Sequence, residues 1–189
     1  MRLINECVSR ELKMKKVEVN AYLRDCMADA LISLLEKKPI AKITVEEIVL
    51  KAGVGRATYF RAFDSKEEII TYKFIRMWEH YCDQHQIRVR DRFDLNNAKD
   101  FFEYNYSIRS ILLAVYQAGL QETVHQAFCR ILLTVECRMD PLRLYREKFF
   151  AYGLFGLLDE WIRNDFLESP DEMVSTLRQI LELNIQKTE

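Results

Sequence analysis

The sequence predicts an all-α protein, in which an N-terminal three-helix helix-turn-helix head precedes a C-terminal helical bundle, with about nine helices in total. The chain has only five glycines and three prolines in 189 residues, too few turn formers for a many-stranded sandwich or barrel. Long stretches are rich in Leu, Glu, Lys, Arg, Ala and Met, which favour helices. Apolar residues also recur at i, i+3 and i+4, the stripe of an amphipathic helix.

The head is expected to begin with an amphipathic helix from about Val19 to Lys37. Residues 1–17 show no periodic face, so we treat them as a flexible N-terminal extension before a domain of residues 18–66. A short second helix starts at Thr44, whose hydroxyl can cap the third amide of that helix while Glu47 reaches back, a capping box.

The turn after this second helix contains Gly53, which suits a residue of positive φ. Helical residues resume over 55–63, and Ser65 begins a second capping box that starts a long helix. We assign residues 67–189 to the second domain. Its expected helices lie at about 97–106, 108–118, 120–137 and 143–164, with a last helix capped by Ser169.

Charge and cysteine content restrict the class of protein. Residues 1–66 carry 13 Lys and Arg against 9 Asp and Glu, and residues 67–189 carry 15 against 20. A basic front end on an acidic body fits a segment that meets phosphate, although ordinary surface variation gives the same balance.

The five cysteines form no CxxC pair, which favours free thiols in a reducing compartment. We find no signal peptide and no membrane-spanning run, and therefore expect a cytoplasmic protein.

The most informative segment is residues 44–63, a capped helix, a glycine turn and a second short helix. The second helix reads Gly55-Arg56-Ala57-Thr58-Tyr59-Phe60-Arg61. Small residues let a helix enter a major groove, arginine can fork onto guanine, and hydroxyls can hold phosphates. A helical hairpin with an exposed polar face in a bundle would give the same pattern.

The segments Ile43–Ile48 and Ala52–Glu68 resemble the DNA-binding domain of the tetracycline-repressor (TetR) family. The resemblance is specific over about residues 20–75 and only architectural beyond them. It implies a homodimer that binds a near-palindromic DNA operator, usually as a repressor released by a small molecule. It also makes residues 67–189 a ligand-sensing and dimerisation domain.

Carried over by position, the resemblance implies DNA contacts at Thr44, Gly55, Arg56, Ala57, Thr58, Tyr59, Arg61 and Lys66. Thr44 and Lys66 resemble phosphate contacts at helix N-termini. Two departures stand out. Gly55 replaces the usual Ser, which weakens the cap of the recognition helix. Tyr59-Phe60 stands where an apolar residue followed by Tyr is common, so a phosphate hydrogen bond is absent if Phe60 occupies the Tyr position.

The C-terminal half supplies two further sets of candidates. The last two long helices fit the family's dimer-forming pair, and the expected interface residues are Phe149, Gly153, Gly156, Leu158, Trp161, Leu177 and Leu181. The expected effector-pocket residues are Phe74, Trp78, Tyr81, Phe102, Tyr106, Tyr116 and His125. The alternative for both sets is ordinary core packing within one subunit.

Catalysis, metals and cofactors are not expected. His80, Cys82 and His85 do not share one helical face, and no nucleophile-elbow or phosphate-loop motif occurs. Two rival hypotheses remain: a TetR-like coregulator controlled by a protein partner, and a helical enzyme or structural bundle. A closed apolar-lined cavity in the middle helices would favour a small-molecule sensor, and a filled core with an exposed apolar patch would favour a protein partner.

Overall fold

The computed structural model describes residues 2–87, 98–132 and 141–186. These residues form nine α-helices and one short 3-10 turn, with no strand among them, which confirms the all-α fold class. The helices are α1 (Arg2–Leu35), α2 (Val45–Ala52), α3 (Arg56–Ala62), α4 (Lys66–Gln84), α5 (Ala98–Ser107), α6 (Arg109–Gln117), α7 (Gln121–Leu132), α8 (Pro141–Arg163) and α9 (Pro170–Gln186). The 3-10 turn (Ile40–Lys42) joins α1 to α2.

The first helix differs from the sequence-based expectation. It begins at Arg2, whereas the sequence analysis left residues 1–17 outside any helix. The segment lacks an apolar stripe but is rich in Leu, Glu, Lys, Arg and Met, whose intrinsic propensity favours a helix continuous with the one after it. Within the expected helix over 120–137, the structure describes α7 from Gln121 to Leu132, and residues 133–137 lie outside the described residues.

The chain divides into two compact units, Met1–Lys73 and Phe74–Glu189. The division falls inside α4, whereas the sequence analysis placed the domain boundary between residues 66 and 67. The first turns of α4 belong to the first unit and its remainder to the second, and the domain boundary expected from the sequence stays a prediction.

The first unit is built on contacts of α1 with α2 and α3. Met27 and Leu31 of α1 are buried together with Ile48 of α2 and Phe63 at the end of α3. The Arg24 guanidinium lies over the Phe63 ring at 4.7 Å, and such cation–π contacts stabilise partly desolvated arginines. These contacts pack α2 and α3 against α1.

The second unit packs α5 through α9 around Phe102, Leu112, Leu158, Trp161 and Ile162. Three residues expected at the dimer interface belong to this core: Leu158, Trp161 and Leu177 are buried within the protomer. These three side chains pack within the protomer, and their place at a dimer interface stays a prediction. None of the described helices combines the length and apolar content that crossing a bilayer requires.

Candidate nucleic-acid interface

The second helix of the head is fixed at both ends. At its start, Thr44 Oγ1 accepts from Glu47 N at 3.3 Å, and Glu47 Oε2 accepts from Thr44 N at 2.9 Å. Lys38 also donates to the Glu47 carboxylate, and this contact, with the Thr44 amide, lowers the pKa of Glu47 to about 2. At its end, Gly53 takes the left-handed conformation with φ of 67°. The predicted capping box and glycine turn are therefore confirmed.

Lys66, the first residue of α4, connects to the segment before α2. Its Nζ donates to the carbonyl oxygens of Ile40 and Ile43 at 2.7 and 2.8 Å. Two of the three ammonium protons are thus held by backbone carbonyls, and the Ile40 carbonyl also accepts from Ile43 N at 3.0 Å. Lys66 fixes the connector in front of α2, and its phosphate contact stays a prediction.

The recognition helix α3 sorts its residues into an inner and an outer face. Arg56, Ala57, Phe60 and Arg61 are exposed, and Phe60 has 58% of its surface accessible. Tyr59 is 2% exposed, and burial raises the pKa of its hydroxyl. The Tyr59 ring is therefore packed within the head, and its expected DNA contact stays a prediction.

The exposed arginines of α3 make contacts with neighbouring side chains that contacts with DNA could replace. Arg56 pairs with Glu46 of α2 at 2.6 Å, with both side chains largely in solvent, and its guanidinium lies 5.5 Å from the centre of the Phe60 ring. Arg61 Nη2 donates to Thr58 Oγ1 at 3.4 Å. Exposed ion pairs contribute little to stability, so breaking the Arg56–Glu46 pair to bind a base or phosphate should cost little free energy.

Gly55 precedes α3 and makes no side-chain cap, as its identity predicts. Its carbonyl accepts from Thr58 N at 2.9 Å, so the first turn is closed by backbone alone. The sequence analysis did not include Phe60 or Glu46 among the site residues. The sequence could have pointed to Phe60, because Tyr59-Phe60 departs from the family pattern. Nothing in the sequence indicated that Glu46 pairs with Arg56.

A capped helix, a left-handed glycine turn and a second helix with an exposed cationic face make residues 44–63 a helix-turn-helix, the element of a DNA-binding regulator. Two family descriptions match the chain: "Bacterial regulatory proteins, tetR family" over residues 28–72 and "Transcriptional regulator C-terminal region" over residues 95–183. A search of curated proteins found no match. The chain belongs to the TetR family, and it is a DNA-binding transcriptional regulator.

A second candidate site lies in the second unit. A cavity of about 40 Å³ is bordered by α4 through α8. Its lining consists of Phe74, Trp78, Phe101, Tyr104, Asn105, Ile108, Leu112, Val124, Ala127, Phe128, Ile131 and Leu158. Phe74 and Trp78 were expected in an effector pocket, and the structure brings both to this cavity.

The other five expected pocket residues lie elsewhere. Tyr81 stacks on Trp78 outside the lining, while Phe102 and Tyr106 pack against Trp161. The Tyr116 hydroxyl donates to Asp159 at 2.7 Å, and His125 lies beside Phe155. Phe101 lines the cavity, whereas the adjacent Phe102 packs against Trp161. Composition alone therefore could not predict which aromatic residues line the cavity and which belong to the core.

Proposed function

We propose that the protein is a homodimeric repressor that binds a near-palindromic operator through two copies of α3 and is released by a small molecule. The observation that supports this most is the outer face of α3, where Arg56 and Arg61 both reach solvent. Arginine can donate two hydrogen bonds to guanine O6 and N7, and a helix with small residues at its front fits the major groove.

The proposed contacts divide into base readout and positioning. Arg56 and Ala57 lie at the front of α3, where a recognition helix meets base edges. Thr44, Thr58 and Lys66 carry groups that suit phosphates, but the structure gives each an internal partner. A phosphate contact at any of these three positions would therefore replace an existing hydrogen bond. Phosphate contacts also carry no base information, so we assign sequence specificity mainly to the arginines.

The dimer is supported by an apolar stripe on α8, formed by Leu142, Tyr145, Phe149 and Tyr152, all of which are more than half exposed. Their spacing of three and four residues places them on one side of the helix, and Gly153 and Gly156 follow on the same side. A Cβ added to either glycine would meet no atom within 4 Å. A second helix could therefore approach closely, as in a two-fold interface.

The stripe also supports the rival function of a coregulator controlled by a protein partner, because an exposed apolar patch of this kind marks a protein interaction site. The two functions differ in what covers α8. A second copy of the chain covers it in the repressor, whereas a different protein covers it in the coregulator. The oligomeric state of the purified protein separates the two.

The operator function is tested with DNA from the protein's own promoter region. We expect specific binding that weakens steeply with salt, because lysines and arginines release counterions from the phosphates. Arg56→Ala should weaken specific binding by about 1–3 kcal/mol while leaving folding unchanged. Titration of labelled DNA, followed by electrophoretic mobility or anisotropy, measures both effects.

The matched control is Arg178→Ala, which removes an equally exposed arginine from α9. It lowers the net charge by the same amount, so it should change the long-range attraction only slightly. Equal losses in Arg56→Ala and Arg178→Ala, or salt-insensitive binding by the wild type, would contradict the role given to α3.

A further inference from the structure

Phe60 is an apolar side chain on the exposed, cationic side of α3. More than half of its surface is accessible, and Arg56, one turn earlier, lies on the same side of the helix. A phenyl ring neither donates nor accepts a conventional hydrogen bond, so Phe60 cannot take part in the polar contacts proposed for α3. Its contribution to a DNA interface has to come from apolar contact.

The Phe60 ring already has contacts on two sides in the free protein. Its edge meets the ring of Tyr59, with the ring centres 5.2 Å apart and the planes at 84°, and Tyr59 is packed within the head. The Arg56 guanidinium lies 5.5 Å from the centre of the Phe60 ring on another side. Such contacts restrict the rotamers of the ring, which lowers the conformational entropy that it loses on binding.

The chemistry of the major groove restricts what Phe60 can contact there. Base edges in this groove present hydrogen-bond donors and acceptors, and the one apolar group among them is the C5-methyl of thymine. A phenyl ring placed over a donor or acceptor would remove its water without replacing the hydrogen bond. Thymine is therefore the base that a phenylalanine on this side of α3 fits best.

The position of Phe60 relative to Arg56 restricts where this thymine lies. Residues four apart in an α-helix are separated by about 6 Å along its axis. Successive bases along one DNA strand are about 3.4 Å apart along the duplex axis. When Arg56 binds the O6 and N7 of a guanine, the Phe60 ring therefore lies within about two base pairs of that guanine.

We propose that Phe60 is a specificity-determining residue that contacts the C5-methyl of a thymine within about two base pairs of the guanine bound by Arg56. The inference rests on the proposed operator binding and adds a second base to the sequence that α3 reads. It also gives a role to the departure Tyr59-Phe60 from the family pattern: this chain lacks a hydroxyl at position 60 and uses the ring for base readout.

The test starts from duplexes that the protein selects from a random-sequence library. Each thymine of the selected site is then replaced singly by deoxyuridine, which keeps its base pairing and lacks only the C5-methyl. We expect one thymine position in each half-site at which this replacement weakens binding about fourfold, the effect of losing one buried methyl group. Replacement of guanine by 7-deazaguanine, which lacks the N7 acceptor, locates the Arg56 contact. The loss at that guanine should be absent in Arg56→Ala.

Variants at position 60 assign the thymine preference to the ring. Phe60→Ala should bind the thymine and deoxyuridine duplexes equally, and it should remain folded because the side chain is mostly in solvent. Phe60→Tyr retains the ring and should retain the preference. The matched control is Leu50→Ala, which removes an apolar side chain of α2 that is 84% exposed, and it should also keep the preference.

The outcomes separate this inference from the proposed function. Wild-type binding that is insensitive to deoxyuridine at every thymine would overturn the inference while leaving operator binding intact. A deoxyuridine effect of the same size in Phe60→Ala would also overturn it, because the preference would then come from DNA shape or another residue. If the library yields no preferred sequence, the proposed operator function fails together with the inference.

Discussion

Phe60 is a residue at which the recognition surface departs from the family pattern. It occupies the exposed position on α3, with 58% of its surface accessible, while Tyr59 is turned inward. The resemblance implies a tyrosine there whose hydroxyl binds a phosphate. Phe60→Tyr should therefore strengthen DNA binding by about 1 kcal/mol, a factor of about five, through one added hydrogen bond. Because the new group is neutral, the dependence of affinity on salt should not change.

The comparison variants isolate the hydroxyl at position 60. Phe60→Leu keeps an apolar side chain without a donor and should give no gain. Tyr59→Phe tests the expected Tyr59 contact, and we expect no change in DNA affinity because the Tyr59 side chain is almost fully buried. A loss of affinity in Tyr59→Phe, together with no gain in Phe60→Tyr, would support the assignment made from the sequence.

Sequence reasoning could not divide Tyr59 from Phe60, because both rings are apolar and adjacent. Which one is buried depends on how α3 is rotated against α1 and α2, a tertiary property. Exposure of the arginines was easier to expect, since an unpaired charge is rarely buried. The ion pair of Arg56 with Glu46 joins two helices, and no local sequence pattern predicts it.

At the scale of elements, helix starts were the most predictable feature. Thr44 and Ser169 both form reciprocal boxes with the glutamate three residues on, because such caps depend on four consecutive residues. At Ser65 the hydroxyl accepts from Glu68 N as expected, and the Glu68 carboxylate accepts from Asp64 N. The start of α1 was not predicted, because it depends on propensity without an apolar stripe.

The cap of α2 should make the stability of the head depend on pH. The hydrogen bond from Lys38 and, to a smaller extent, that from the Thr44 amide lower the pKa of Glu47 from 4.5 to about 2. A lowered folded-state pKa stabilises the fold above pH 4.5, and this stabilisation is lost as the pH falls toward 2. Glu47→Gln cannot ionise, so it should be less stable than the wild type at pH 7 and nearly equal to it near pH 2. Chemical unfolding at several pH values measures the difference.

A double-mutant cycle with Lys38→Met assigns the effect to the ion pair. The coupling between positions 38 and 47 should decrease in acid, and it should also decrease with salt because both side chains are partly in solvent. A coupling of the same size at pH 7 and near pH 2 would show that the charge of Glu47 contributes nothing.

At the scale of the whole molecule, the head and the second unit differ in how far the sequence predicts their structure. The head follows from local signals, caps and a glycine turn, and the family resemblance covers it. The second unit depends on which helix faces meet, so Leu158 and Trp161 became core while the opposite side of α8 was left in solvent. Apolar spacing identified α8 as a long helix, but it could not tell an inner stripe from an outer one.

The outer stripe of α8 leads to the prediction that the protein associates through Phe149, which is 78% exposed. Phe149→Asp places two charges in a two-fold interface and removes two aromatic side chains from it. Burying one such side chain contributes about 1.5–3 kcal/mol, so the dimer should weaken by about 3 kcal/mol or more, at least a hundredfold in its dissociation constant. Leu167→Asp alters a side chain that is 82% exposed just beyond α8 and should leave the dimer intact. Sedimentation over a range of concentrations measures both variants. A monomeric wild type would favour the protein-partnered coregulator, and a Phe149→Asp dimer as tight as the wild type would move the interface away from the stripe.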